Sequence, residues 1–172
     1  MQIRVTRPEE IDEVMGIYAH ARAFMAAHGN PNQWGPTNWP PRELVEQDIA
    51  CGKSHVCETC DGRLAAVFFY DFGKDVDPCY LRIDEGSWLS DEPYGVVHRI
   101  ASAGIVRGAG TACLEWAFAQ CGHVRIDTHG DNVVLQGLLA KLGYDYRGII
   151  YVREDDDPRL AFEKIGLGTV MK

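Results

Sequence analysis

Three groups of residues in this chain have the types and spacing that chemistry requires. The first is "HRIASAGIVRGAGTACLEWAF", residues 98–118, where an apolar, strand-like run passes through Arg107, Gly108, Ala109, Gly110, Thr111 and Ala112 into an amphipathic helix. Glycines in such a turn let the backbone approach a ligand closely, and the free amides of the helix N-terminus point at it. That geometry suits a phosphate-bearing cofactor. The second is "VRIDTHG", where period two puts Arg125, Asp127 and His129 on one face and Ile126 and Thr128 on the other. Asp127 can orient His129 or act through water as a base; it fits equally a buried aspartate paired with Arg125 or with neighbouring backbone. The third is His98, on the strand "VVHRIAS", which reads either as a catalyst or as a satisfied structural histidine.

The elements that must hold these groups alternate along the chain. "QIRVT" reads as a strand, and Pro8, Glu9 and Glu10 open a helix with Ile11, Val14, Met15 and Tyr18 on one face, ending near Gly29. A loop dense in Gly, Pro and Asn follows, "GNPNQWGPTNWPP", and then a short helix, "RELVEQDIA". Two strands joined by an Asp-Gly turn come next, then strands at "CYLRI" and "PYGVVHRIAS". After the glycine turn the pattern predicts a helix to about Gln120, a strand "HVRIDT", a helix "DNVVLQGLLAKLG", a strand "YDYRGIIYV" and a closing strand "PRLAFEKI". Strands flanked by helices mean an α/β domain with a mixed sheet.

Composition narrows the function classes. With 172 residues, 46% hydrophobic and 24% charged, the chain suits one globular domain rather than a disordered segment. No apolar run approaches the roughly 20 residues that span a bilayer, and "MQIRVTRPEE" lacks a signal-peptide core, so a soluble cytoplasmic protein with no membrane partner is expected. A net charge of −8 argues against nucleic acid, whose binding draws on Lys and Arg meeting phosphates. The six cysteines read as reduced thiols, and "CETC" at 57–60 reads as hairpin residues rather than a metal or redox pair. No metal site is expected.

Arg107, Gly110 and Ala112 match the pattern Arg/Gln-x-x-Gly-x-Gly/Ala. The succession of strand, turn, helix, strand, then "DN" opening a helix that ends "KLGY", resembles the GCN5-related N-acetyltransferases over about the whole chain. "GNPNQW", "PYGVVHRIAS", "VRIDTHGDN" and "PRLAFEK" further resemble a branch of small bacterial members. A Rossmann or Walker site fits worse, for want of GxGxxG with an acidic ribose partner or of a Gly-Lys-Ser/Thr ending. The resemblance implies a single domain over 1–172, α/β (α+β), with a mixed central sheet, about four flanking helices and a splayed central strand pair.

It also implies direct acetyl transfer from acetyl-CoA, as co-substrate, to an amine of a small molecule or peptide, with homodimerisation left open. The pyrophosphate would rest on backbone amides of Arg107, Gly108, Ala109, Gly110, Thr111 and Ala112. The pantetheine arm would pair with Ile100, Ala101 and Ser102, near Asn132, which suits a helix N-cap equally well. A base is needed, drawn from Asp127, His129 or His98, and a backbone N–H on the splayed strand would serve the oxyanion. The family's tyrosine acid falls on Leu139, while Tyr144 holds the place of a core-packing aromatic and is a substitute acid at most. The acceptor would meet the loop carrying Trp34 and Trp39 and the segment carrying Asp84 and Glu85, residues that read equally as loop anchors and turn charges. A non-catalytic acyl-CoA-binding or regulatory module on the same fold is the alternative.

Overall fold

A computed structural model describes residues 1–152 and 158–166; the remaining residues of the expected 1–172 domain lie outside the described ones. The elements in chain order are β1 (Gln2–Val5), α1 (Ile11–Ala27), α2 (Arg42–Ala50), β2 (Ser54–Glu58), β3 (Leu64–Gly73), β4 (Tyr94–Ser102), α3 (Ala109–Cys121), β5 (His123–His129), α4 (Val133–Lys141), β6 (Asp145–Tyr151) and β7 (Pro158–Ile165). The seven strands form a mixed sheet in an α/β fold, as the alternating pattern predicts, and their order is β1-β2-β3-β4-β5-β7-β6. The chain divides into two compact units, Met1–Tyr70 with His98–Trp116, and Asp71–Val97 with Ala117–Lys172, so that β3, β4 and α3 each run from one into the other.

In the first unit, β1, β2 and β3 are antiparallel, with Ile3 opposite Cys57 and Val56 opposite Val67. Pro8 starts a 3-10 turn, Pro8–Glu10, and the Arg7 N–H donates to the Glu10 carboxylate at 2.8 Å, which satisfies an amide before α1 begins. Val14, Ile17, Tyr18 and Ala21 recur at the helical spacing and form the buried stripe of α1. They pack with Val45 and Ile49 of α2, Val56, Leu64, Val67 and Ala101. Gly29, at φ 83, terminates the helix as only glycine does without strain. Trp34 packs edge-on against Tyr18 in this core, with Trp39 partly buried beside it.

In the second unit, β4 and β5 are parallel, with Gly95 opposite Val124 and Val96 opposite Arg125, while β7 pairs antiparallel with both β5 and β6. The expected strand "CYLRI" is instead a 3-10 turn, Pro78–Leu81, outside the sheet. Pro78 fixes the first φ of a helical turn, and the Asp77 carboxylate accepts the Cys79 N–H at 2.8 Å, an N-cap that a strand has no use for. None of the six cysteines is in a disulfide.

The pairing of β5 with β7 sets Arg125 opposite Glu163, whose side chain is fully buried. Arg125 Nε donates to Glu163 Oε1 at 2.9 Å, His123 Nε2 lies 2.7 Å from the same oxygen, and the Leu89 N–H donates to Oε2. The Arg125 guanidinium lies between the rings of Trp88 and Tyr94, 4.2 and 4.0 Å from their centroids. Burial pushes the Glu163 carboxyl up, but the hydrogen bonds from His123, Leu89 and Arg125 outweigh it and hold it below the usual range.

A carboxylate held low when folded contributes stability above its unfolded pKa, about 4.3, and loses it as pH falls below that value. Glu163→Ala leaves a buried guanidinium uncompensated and is expected to cost about 3–5 kcal/mol by urea denaturation at neutral pH. Glu163→Gln should flatten the acid limb of the stability curve below about pH 4. Unfolding measured from pH 7 to 3 on both variants checks this.

Candidate functional site

The glycine segment begins where β4 ends. The Ala103 N–H donates to Ala65 O at 2.9 Å, and the Gly104 N–H donates to Ser102 Oγ at 3.1 Å. Gly104 is left-handed, at φ 72, and a Cβ there would stand 2.8 Å from His20 Nε2, so no larger residue fits without moving that ring. Of the predicted turn residues, Arg107 and Gly108 form the turn itself, with Gly108 at φ 86. Ala109, Gly110, Thr111 and Ala112 are already the first turn of α3, whose first intrahelical bond runs from Ala112 N–H to Gly108 O at 2.9 Å. The amides of Ala109, Gly110 and Thr111 therefore precede any i−4 carbonyl of the helix. They stand at its positive end beside the exposed Arg107, a donor set that fits a diphosphate. On β4 itself, Ile100 is half-buried, Ala101 buried and Ser102 exposed.

β4 carries a feature that the sequence pattern does not predict. Arg99 is left-handed, at φ 51, in the middle of the strand. Its NH2 group meets Asp48 Oδ2 of α2 at 2.7 Å, and its guanidinium lies 4.6 Å from the centroid of Phe69. The half-buried His98 ring is 5.9 Å from the same Phe69 ring. Burial lifts the Asp48 carboxyl above its ordinary value against the pull of Arg99 and His98. Asp48 sits between Val45 and Ile49 on the buried stripe of α2, and a carboxylate in that place is the one sequence signal that marks it.

The second unit holds the other predicted residues. His123, Arg125, Asp127 and His129 alternate with Val124, Ile126 and Thr128 along β5, as period two requires. Arg125 serves Glu163 rather than Asp127. Asp127 is half-buried and accepts the hydroxyl of the buried Tyr80 at 2.7 Å; Tyr80 in turn accepts the Trp88 indole N–H on its carbonyl at 2.8 Å. Burial, with Asp127 beside it, raises the Tyr80 phenol well above its usual range.

His129 Nδ1 accepts the Asp131 N–H at 3.2 Å, and the His129 carbonyl accepts the Asn132 N–H at 3.0 Å, so this histidine builds the turn into α4. Asn132 caps that helix, its Oδ1 accepting the Leu135 N–H at 3.2 Å. Leu139 is fully buried. The Tyr144 hydroxyl is buried without a hydrogen-bond partner among the described residues, and burial raises its pKa. Asp84 pairs with Arg82 at 2.7 Å and bridges Ile149 through its backbone, while Glu85 occupies a left-handed turn position at φ 57. Among the described residues no group of three or more His, Cys, Asp or Glu side chains stands together as a metal site would need, and no helix is long and apolar enough to cross a membrane.

Among solved structures the chain is similar to an acetyltransferase of the GNAT family from Streptococcus agalactiae 2603, at 36% identity and a TM-score of 0.85, over 97% of this chain and 96% of that one. A GNAT-family acetyltransferase from Listeria monocytogenes 4b F2365 shares the fold at 16% identity and a TM-score of 0.67, covering 95% of this chain and 93% of that one. So does a GNAT-superfamily phosphinothricin acetyltransferase from Sinorhizobium meliloti, solved in complex with AcCoA, at 12% identity and a TM-score of 0.62, covering 99% and 91%. No family model matches the chain, and neither does any curated protein.

The cap at Asn132 has a measurable weight of its own. Asn132→Ala should lower unfolding free energy by about 1 kcal/mol in a denaturant titration, and Asn132→Asp, which keeps an accepting oxygen, should lower it by less.

Proposed function

Because the chain belongs to the GNAT family of acetyltransferases, we propose that it moves the acetyl group of acetyl-CoA by direct attack to a primary amine of a small molecule or peptide. The observation that carries this reading is the left-handed Gly108 opening α3, which sets backbone amides and Arg107 at a positive helix end. Arg107, Gly108, Ala109, Gly110, Thr111 and Ala112 are the residues proposed for the pyrophosphate, Ile100, Ala101 and Ser102 for the pantetheine arm, and Asn132 for a contact near both.

A lysine-like amine has a pKa of about 10.4 and must lose a proton as it attacks. Asp127, His129 and His98 are the proposed acceptors of that proton, directly or through water. Asp127 suits the role best. It is a half-buried carboxylate steadied by Tyr80, whereas the Nδ1 lone pair of His129 already serves the turn into α4. The oxyanion needs a fixed donor, for which a peptide N–H near the break in β4 is proposed. With Leu139 in place of a tyrosine, the thiolate leaves unassisted, which a thiol pKa near 8.5 tolerates, or takes a proton from His129.

The buried Leu139 is also what favours the second reading, an acyl-CoA-binding or regulatory module without catalysis. Calorimetric titration with acetyl-CoA, followed by thiol release against a panel of amines, separates the two. Micromolar binding with amine-dependent release is the expected result; binding with no release from any amine supports the second reading, and absence of binding overturns both. Gly108→Val, which forces a branched side chain into a left-handed turn, should weaken acetyl-CoA binding by about tenfold in the same titration.

A further inference from the structure

Four non-glycine residues among those described have a positive φ: Asn38, Asp75, Glu85 and Arg99. The first three lie in turns or bends, and Arg99 alone lies within a strand. Arginine gains nothing locally from this conformation, because its Cβ crowds the following carbonyl and its side chain cannot hydrogen-bond back to its own turn as Asn or Asp can. Something else must hold it there.

The surroundings supply one anchor. Asp48 and Arg99 meet at 2.7 Å with 10% and 14% of their side chains exposed, and the guanidinium rests on Phe69. Arg99 Nε is buried with no acceptor among the described residues, so Asp48 carries the balance of this charge. The consequence for β4 is a break in period two: His98 and Arg99, consecutive residues, both meet the Phe69 ring. Beyond the break lie Ile100, Ala101 and Ser102, the stretch proposed for the pantetheine arm.

We propose that Asp48 is a positioning residue for the transfer reaction: its ion pair with Arg99 holds β4 in the left-handed bulge on which the peptide groups of Arg99, Ile100, Ala101 and Ser102 depend for meeting acetyl-CoA. This rests on the acetyl-transfer reading above. Asp48 need not touch either substrate, and it ties α2, the helix after the Trp34 loop, to the reacting strand.

Glycine separates the anchor from the geometry it enforces, since it adopts a positive φ without help. Asp48→Asn and Arg99→Ala remove the ion pair and keep the penalty; the double variant Asp48→Asn with Arg99→Gly removes both. In the free protein, hydrogen exchange of the amides of residues 99–103 should quicken about tenfold in Asp48→Asn and in Arg99→Ala. Acetyl-CoA affinity, measured by calorimetry, should weaken by about tenfold in these two and return to within about threefold of wild type in the double variant. A merely structural ion pair would leave the double variant no better than Asp48→Asn, and that outcome overturns the proposal, as does wild-type exchange in Asp48→Asn. Failure of the wild-type protein to bind acetyl-CoA overturns the acetyl-transfer reading instead, and the exchange measurement still decides whether Asp48 holds the bulge.

Discussion

A β-strand whose peptide groups are all used by its neighbours has none to offer a ligand. If β4 meets a pantetheine arm as proposed, it must break its own regularity, and that is the constraint on which the rest of the first unit turns. The break is made by Arg99 at φ 51, and an L-residue there costs roughly 1–2 kcal/mol unless its side chain is held. Asp48 and Phe69 hold it. That need explains a carboxylate on the buried face of α2, a position where an apolar residue would otherwise pack better. Val45 and Ile49 flank Asp48 on the buried stripe of α2 and share one core with Tyr18, so the carboxylate stands on an apolar face where its charge is poorly screened.

The second unit solves a different problem with similar means. The polar face of β5 would be costly in a sheet interior unless each group found a partner. Arg125 and His123 converge on Glu163, Asp127 takes the Tyr80 hydroxyl, and His129 turns back onto the start of α4. One face thus carries an ion-pair cluster at Glu163, a hydroxyl bond at Asp127 and a turn contact at His129. Of these, the Glu163 cluster has the burial of a structural brace, while Asp127 is only half-buried, as the proton-accepting role proposed for it requires.

Much of this was legible in the sequence where the signal is local. The stripe of α1, the alternation along β5 and the glycine at 108 each follow from spacing or from a backbone angle that a single residue type permits. Period two placed Arg125, Asp127 and His129 on one face correctly, but it could not name their partners, because Glu163 and Tyr80 lie 38 and 47 positions away from the residues they hold. "CYLRI" was misread for a related reason: β-prone residue types outweighed the Asp77-Pro78 start signal that the chain in fact obeys. The bulge at Arg99 left no local mark at all. A glycine would have announced it, and an arginine conceals it, since the strain is met by Asp48 from another element.

That concealment bears on how the two kinds of left-handed residue differ in use. Gly104 and Gly108 open the backbone around the start of α3 without needing support, so the free amides proposed for the diphosphate can form as soon as the helix does. Arg99 needs α2 docked before its conformation is affordable. The free amides of α3 are therefore set by local chain geometry, whereas the bulge in β4 is set by tertiary packing. Under the acetyl-CoA binding proposed above, changes that loosen α2 should reach a pantetheine arm on β4 before they reach phosphates at the start of α3.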